Sequence, residues 1–361
     1  MKIAMLIGSL QKGGAERVLV NLADYLTTKG HRVLLVTTYQ REDEYVPNPQ
    51  VKRIISEISE EEITGNRISN FHRRFKKLRN IWKQEKPTVV LSFIGKNNFM
   101  NILTTAFLPV ATAVAVRGAP EAEYYSKWMR IMARGLFRFA DGVILQTNAS
   151  KSFFGKSVRK KAVILRNPIS ESFFRPRFQG ERENTIVAVG RLDDNKNHAM
   201  LIHAFDQIAD TYPEYKLVIY GEGEDRDKIT QLIQQLGRSD RIVLPGNSDN
   251  IADVIYRAKV FVLPSDTEGL PNTLIEAMIL GLTVIATNCP CGGPADLIDH
   301  GVNGLLTPVR DTNKMKENLQ IILNDLQLSD RLGENATKTS VIFRPEIVNA
   351  EWEKYLISLH K

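Results

Sequence analysis

The sequence predicts an α/β protein built of two doubly wound domains. Short apolar runs alternate with amphipathic stretches along almost the whole chain, as strands and helices do around parallel sheets. The chain has 361 residues, a length that favours two domains over one. Polar, glycine-bearing loops follow several of the apolar runs, and open α/β sheets bind their ligands at such places.

The elements follow in order. Met1-Lys2 leads into five apolar residues and then Gly8-Ser9, with no cleavage pattern, so the start reads as a strand rather than a signal peptide. The strand covers 3–7, and a helix runs on to about Thr27. Residues 33–37 form a second strand, and 89–93, 113–116 and 142–146 are further short apolar runs. A boundary is expected at Arg166-Asn167-Pro168-Ile169, where a proline follows an apolar strand. The domains are then 1–168 and 169–344. In the second, strands are expected at 185–189, 217–220, 242–244, 260–263 and 283–286, and helices at 198–212 and 225–237.

Composition narrows the class. Apolar content is 43%, enough for two sizeable cores. Spanning a bilayer takes a run of about 18 apolar residues, and the sequence has none. Cys289 and Cys291 are one residue apart, too close for an unstrained disulfide, and read as free thiols of a reducing compartment. Residues 1–168 hold 28 Lys and Arg against 13 Asp and Glu, a net +15. The whole chain is +7, which leaves −8 for residues 169–361. The first half therefore suits an anionic partner, and both nucleic acid and an acidic membrane surface fit.

Chemistry concentrates in the loops. In Pro264-Ser265-Asp266-Thr267-Glu268-Gly269-Leu270-Pro271-Asn272, a strand end runs into a helix start, with Pro271 suited to the first turn. Free N–H groups there make an anion site, and Glu268 and Glu276 can accept hydroxyl hydrogen bonds beside it. Gly190-Arg191-Leu192 with Lys196 places two cations where a diphosphate could lie, though two solvated cations are an equal reading. Gly8-Ser9-Leu10-Gln11-Lys12-Gly13-Gly14 fits neither the dinucleotide fingerprint nor a Walker A loop and reads alone as an anion loop or a tight turn. Tyr220-Gly221-Glu222-Gly223 and Leu244-Pro245-Gly246-Asn247 are strand ends that could approach a ligand or simply turn.

Taken together, Gly13-Gly14-Ala15-Glu16, Gly190-Arg191-Leu192 with Lys196, and Glu268 with Glu276 eight residues on resemble glycosyltransferase family 4 over nearly the whole chain. The loop Asn288-Cys289-Pro290-Cys291-Gly292-Gly293-Pro294 looks like that of members acting on bacterial lipid-linked glycans. The resemblance implies the GT-B fold: two Rossmann-like domains facing each other across a cleft, with a last helix at about 345–361 packing back on the first. The first domain would bind the acceptor and the second a nucleotide sugar, with UDP expected. Arg191 and Lys196 would hold the diphosphate as leaving group, and Glu268 the donor sugar's hydroxyls. Glu276 would take the ribose hydroxyls, and backbone at Gly190, Gly246, Gly269 and Leu270 would line the donor. Gly14 would close over the diphosphate. Transfer would retain anomeric configuration. No cofactor or metal is expected, since cations and helix N–H groups supply the positive potential and no Asp-x-Asp pair is placed for a metal. One departure stands out. Many relatives carry a histidine after the strand near 116; here the stretch is Val116-Arg117-Gly118, and Arg117 is the candidate for a supporting role, with His31 and His72 read as surface residues.

Two basic amphipathic stretches in the first domain suit an interface. One spans 68–82, with an apolar stripe of Ile68, Phe71, Phe75, Leu78 and Trp82 and a basic face of Arg73, Arg74, Lys76, Lys77 and Arg79. The other, 124–139, mixes Tyr124, Trp128 and Met132 with Lys127, Arg130, Arg134 and Arg138. Both also read as ordinary helices. The expectation is a cytoplasmic enzyme, peripheral on the inner face of the cytoplasmic membrane, that glycosylates a lipid-linked glycan. The rivals are a catalytically inactive nucleotide-sugar-binding protein and a nucleic-acid-binding α/β protein. The second lacks any nucleic-acid motif, and paired glutamates do not suit a phosphate backbone.

Overall fold

A computed structural model describes residues 1–11, 13–58 and 65–360. The chain divides into two compact units, Met1–Pro168 with Glu346–Lys361, and Ile169–Pro345. The first holds strands β1 (Lys2–Ile7), β2 (Arg32–Thr37), β3 (Lys52–Ile55), β4 (Val89–Phe93), β5 (Ala111–Ala115), β6 (Gly142–Leu145) and β7 (Ala162–Ile164). The second holds β8 (Glu183–Val189), β9 (Lys216–Tyr220), β10 (Ile242–Gly246), β11 (Ala258–Leu263), β12 (Thr283–Thr287) and β13 (Leu305–Thr307).

Each unit is one parallel sheet. The strand orders are β3-β2-β1-β4-β5-β6-β7 and β10-β9-β8-β11-β12-β13. Both orders reverse direction beside the unit's first strand, at β1/β4 and at β8/β11. Helices covering opposite faces of the sheet diverge there, which opens a crevice at the strands' C-terminal ends. Central strands such as β1 and β11 are apolar along most of their length because both faces are covered.

In the first unit, helix Gly14–Thr28 shares a core with Val348, Trp352 and Leu356 of the C-terminal helix Pro345–Ser358. Trp352 is fully buried and its indole N–H donates to the Arg166 carbonyl over 2.9 Å. A second cluster joins Leu78, Ile81 and Trp82 of helix Arg67–Glu85 to Ala4, Leu6, Leu34 and Val36. At roughly 25 cal/mol per Å² of apolar surface removed from water, these two enclosed indoles contribute several kcal/mol.

Several expectations change. Residues 124–139 are not one helix: Ser126 caps a helix at Lys127–Leu136, its hydroxyl accepting from Met129 N over 3.2 Å. Tyr124 lies before that cap, fully buried against Phe99, Phe137 and Phe153. The stripe at 68–82 is only half used, because Ile68 and Phe71 are exposed while Leu78 and Trp82 are buried. His31 is not a surface residue; its ring is 10% exposed and bonds Glu353 over 2.8 Å. Pro271 precedes helix Asn272–Ile279 as its cap rather than opening it. The edge strands β3, β7 and β13 have only three or four residues each, too short for the apolar-run pattern to register.

Candidate active site

The site is built at the β8/β11 reversal of the second unit. The ladder between these strands runs through Val187 and Phe261. Beyond it the chain leaves β8 into Gly190–Asn197 and leaves β11 into Pro264–Pro271. Gly190 N donates to Tyr220 O over 3.0 Å, and Leu192 N to Glu222 O over 3.0 Å. This contact explains Gly221: its φ is +142°, and a Cβ there would sit 1.9 Å from the Gly190 carbonyl oxygen. The glycine at 221 therefore serves backbone against backbone.

Lys196 and Glu268 meet. Lys196 Nζ donates to Glu268 Oε1 over 2.6 Å, and the side chains are 17% and 13% exposed. The lysine stem passes Gly190, where a Cβ would lie 3.3 Å from its Cδ. Arg191 stands apart, its side chain 78% exposed and leaning on Asp193 at 3.0 Å. The arrangement thus offers one enclosed and one exposed cation on the same loop, the first of them on an acid.

The two loops are stitched together. Asp266 N donates to the Asn195 carbonyl over 2.8 Å. The Asn195 amide donates to Thr267 O over 3.1 Å and accepts from Thr267 N at 3.2 Å and Thr267 Oγ1 at 2.6 Å. Asn197 donates to Asp266 Oδ1 over 2.9 Å, and Arg310 to Asp266 Oδ2 over 2.7 Å. These residues escape sequence reading, because a single Asn in a polar loop carries no signal of its own.

His198, 2% exposed, opens helix His198–Ala209 with Nε2 3.2 Å from the Arg191 carbonyl. A carbonyl can only accept, so Nε2 carries the proton. Burial, with Lys196 nearby, pushes this imidazole down to about 4. It stays neutral and steadies the Arg191 backbone. Cys289 Sγ donates to Ser265 O over 3.1 Å, and burial pushes the thiol up to about 11. Both cysteines are buried thiols outside any disulfide, and Cys289 acts as a small packing donor.

The remaining donor-site candidates fall around this centre. Gly269 and Leu270 lie in the same loop, and Glu276 is 1% exposed on helix Asn272–Ile279. Gly293 opens a short helix whose approach is so close that a Cβ would lie 1.5 Å from the Gly269 carbonyl oxygen. Gly246 ends β10 at φ +88°, its carbonyl accepting from Gly221 N over 2.9 Å. Among the described residues no three His, Cys, Asp or Glu side chains gather as metal ligands.

In the first unit, Gly14 is the first residue of its helix, after Gly13, at the β1/β4 reversal. Lys12 of that loop lies outside the described residues. Arg117 follows β5. Its guanidinium lies 4.6 Å from the Phe93 ring and 5.6 Å from the Trp352 ring, and Nη2 bonds to Asn167. Its Nε and Nη1 are enclosed without hydrogen-bond partners, and burial pushes the group down to about 9. Arg117 is thus a partly satisfied cation lying against two rings.

The basic stretches differ from each other. On helix Arg67–Glu85, Lys77 bonds to the Glu57 carbonyl, Arg79 to Thr104 and Ala106 carbonyls, and Arg74 stacks on Tyr39 at 5.7 Å. Lys76 is exposed and Arg73 half-buried. On helix Lys127–Leu136, Arg130 donates to Tyr124 and Glu121 carbonyls and Arg134 to Phe153. These two arginines are structural ties as well as surface charges. Trp128, Ile131 and Met132 occupy one face of that helix and are 73%, 53% and 38% exposed. No described helix is long and apolar enough to cross a membrane.

Residues 12–173 match the family model described as Glycosyltransferase Family 4, and residues 170–339 match Glycosyl transferases group 1. A GalNAc-alpha-(1->4)-GalNAc-alpha-(1->3)-diNAcBac-PP-undecaprenol alpha-1,4-N-acetyl-D-galactosaminyltransferase of Campylobacter jejuni is 30% identical over 99% of this chain and 98% of its own. An amylovoran biosynthesis glycosyltransferase of Erwinia amylovora is 24% identical over 98% of this chain and 99% of its own. In fold, the chain is similar to HepE of Anabaena in complex with UDP, with TM-score 0.82, 19% identity, and 99% and 100% of the two chains covered. Sucrose-phosphate synthase of Thermosynechococcus elongatus gives TM-score 0.84 at 18% identity over 99% and 98%.

Proposed function

This chain belongs to glycosyltransferase family 4, and we propose that it moves a hexosyl or N-acetylhexosaminyl group from a UDP-sugar to a lipid-linked saccharide, with retention and without a metal. The observation that carries this reading is the Lys196–Glu268 pair, 2.6 Å apart at the β8/β11 reversal, with Arg191 exposed on the same loop as Lys196. Breaking the bond from the sugar's anomeric carbon to the diphosphate builds negative charge on that diphosphate. Lys196 and Arg191 stabilise it, and Glu268 holds the sugar's hydroxyls so that C1 faces the incoming acceptor oxygen. The leaving phosphate oxygen takes the acceptor's proton on the same face, which preserves configuration. Catalysis is then positioning plus charge stabilisation. Glu276 holds the ribose, and backbone at Gly190, Gly246, Gly269 and Leu270 lines the nucleotide. The Campylobacter relative, named as an N-acetylgalactosaminyltransferase on an undecaprenol-linked saccharide, supports an N-acetylhexosamine and a polyprenyl-diphosphate acceptor.

The first unit supplies the acceptor side. Trp128, Ile131 and Met132 present an apolar face, and the surrounding segment is strongly basic. Aromatic and aliphatic residues on a basic helix suit the inner leaflet of an anionic membrane. Thermal-shift screening against nucleotide sugars, followed by radiolabel transfer to a polyprenyl-diphosphate saccharide, tests the activity. A stabilising UDP-sugar that is then transferred with retention is expected; no stabilisation by any of them would sink the reading. Flotation with anionic liposomes at low salt tests docking, and a protein that stays at the bottom of the gradient refutes it.

A further inference from the structure

We propose that Asn195 is a positioning residue that locks the Lys196 loop to the Glu268 loop, so that the cation for the diphosphate and the acid for the sugar are presented as one rigid unit. The inference rests on the roles given above to Lys196 and Glu268. It starts from a weakness of the fold. At a reversal point the two neighbouring strands send their chains to opposite faces of the sheet. The β8/β11 ladder runs through Val187 and Phe261, so it does not bind the loops that follow to one another.

Asn195 bridges that gap with four hydrogen bonds, to Asp266 N and to the N, O and Oγ1 of Thr267. The registration is direct: Asn195 pairs with Thr267, and the next residues, Lys196 and Glu268, pair with each other at 2.6 Å. The side chain suits its place. A short amide carries its donor and its acceptor on two separate atoms, so Nδ2 reaches Thr267 O while Oδ1 takes Thr267 N and Oγ1; Ala offers neither, and Asp offers no donor. Asn197 and Arg310 bind Asp266 from outside and brace the same loop.

The test compares Asn195→Ala with wild type in three readouts. Amide hydrogen exchange needs no ligand: the Thr267 N–H, which loses its Oδ1 acceptor, should exchange at least about tenfold faster, while Val260 to Leu263 in β11 stay protected. UDP binding by calorimetry should hold within about threefold or tighten, since Lys196 is released from Glu268. Transfer from radiolabelled UDP-N-acetylgalactosamine should fall by about tenfold or more through kcat, since sugar and diphosphate are no longer held in one geometry. Thr267→Val, which removes the Oγ1 bond alone, should show the same split at smaller size and covers the case in which Asn195→Ala fails to fold. A purely structural role would lower UDP binding and transfer in parallel, and that outcome, or unchanged exchange at Thr267, overturns the proposal. If the wild-type protein transfers no sugar, the functional reading fails while exchange and UDP binding still decide on Asn195.

Discussion

Replacing Glu268 by Gln removes a charge and keeps the side chain's size. Lys196 Nζ lies 2.6 Å from Glu268 Oε1, with the side chains 17% and 13% exposed. An exposed ion pair contributes about 0–1 kcal/mol, and breaking a fully buried one costs about 3–5 kcal/mol. This pair sits between those limits, so about 1–2 kcal/mol holds the lysine on the glutamate. A diphosphate that engages Lys196 has to compete with that attraction. Without the carboxylate, UDP should bind roughly 5- to 30-fold more tightly, at about 1.4 kcal/mol per tenfold. Transfer should move the other way, by roughly 10²-fold, because the donor sugar loses its charged partner in the transition state. Calorimetry with UDP and a radiolabel transfer assay measure the two effects on one preparation. UDP binding that is unchanged or weaker, in a variant that melts like wild type, refutes the competition between Glu268 and the diphosphate. Unchanged turnover refutes the role of Glu268 on the sugar.

Lys196→Ala and Arg191→Ala should each lower transfer by roughly 10²-fold or more, and near-wild-type turnover in both would end their assignment to the leaving group. Arg191→Ala should leave the urea midpoint almost unmoved, because the side chain is 78% exposed and its ion pair with Asp193 is largely solvated. Gly293→Ala would place a methyl 1.5 Å from the Gly269 carbonyl oxygen, so about 3 kcal/mol or more of destabilisation is expected in urea melts, and a wild-type midpoint would contradict the packing. His198 takes up its proton at about 4 when folded against an ordinary 6.5, so the unfolded chain binds that proton first. Its stability contribution is full above pH 6.5 and is lost as pH falls toward 4, at no more than about 1.4 kcal/mol per pH unit. His198→Gln cannot titrate and should flatten that slope; parallel slopes for the two proteins would count against the buried neutral imidazole.

Much of the architecture is legible before any coordinates. The apolar run at 89–93 coincides with β4, and those at 260–263 and 283–286 lie within β11 and β12. Such runs register because a parallel strand covered on both faces is apolar at every position, a signal that is local in sequence. Edge strands such as Lys52–Ile55 are partly wet and carry no such run. The amphipathic stretch at 124–139 misleads for the opposite reason. Its apolar residues belong to two environments, with Tyr124 in the core and Trp128 in solvent, and periodicity alone does not separate them.

The same division holds at the site. The residue types and spacing of Arg191, Lys196, Glu268 and Glu276 mark candidate phosphate and hydroxyl partners, because charge and hydrogen-bonding capacity are properties of single side chains. Which of them touch is another matter. That Lys196 lies on Glu268 while Arg191 leans on Asp193 shows only in the fold, where four bonds join Asn195 to Asp266 and Thr267 in a distant loop. That Gly221 and Gly293 serve close backbone approach depends on what the sheet order brings beside them. Chemistry travels with the side chain and can be read along the chain, whereas contact between distant loops exists only once the strands have paired.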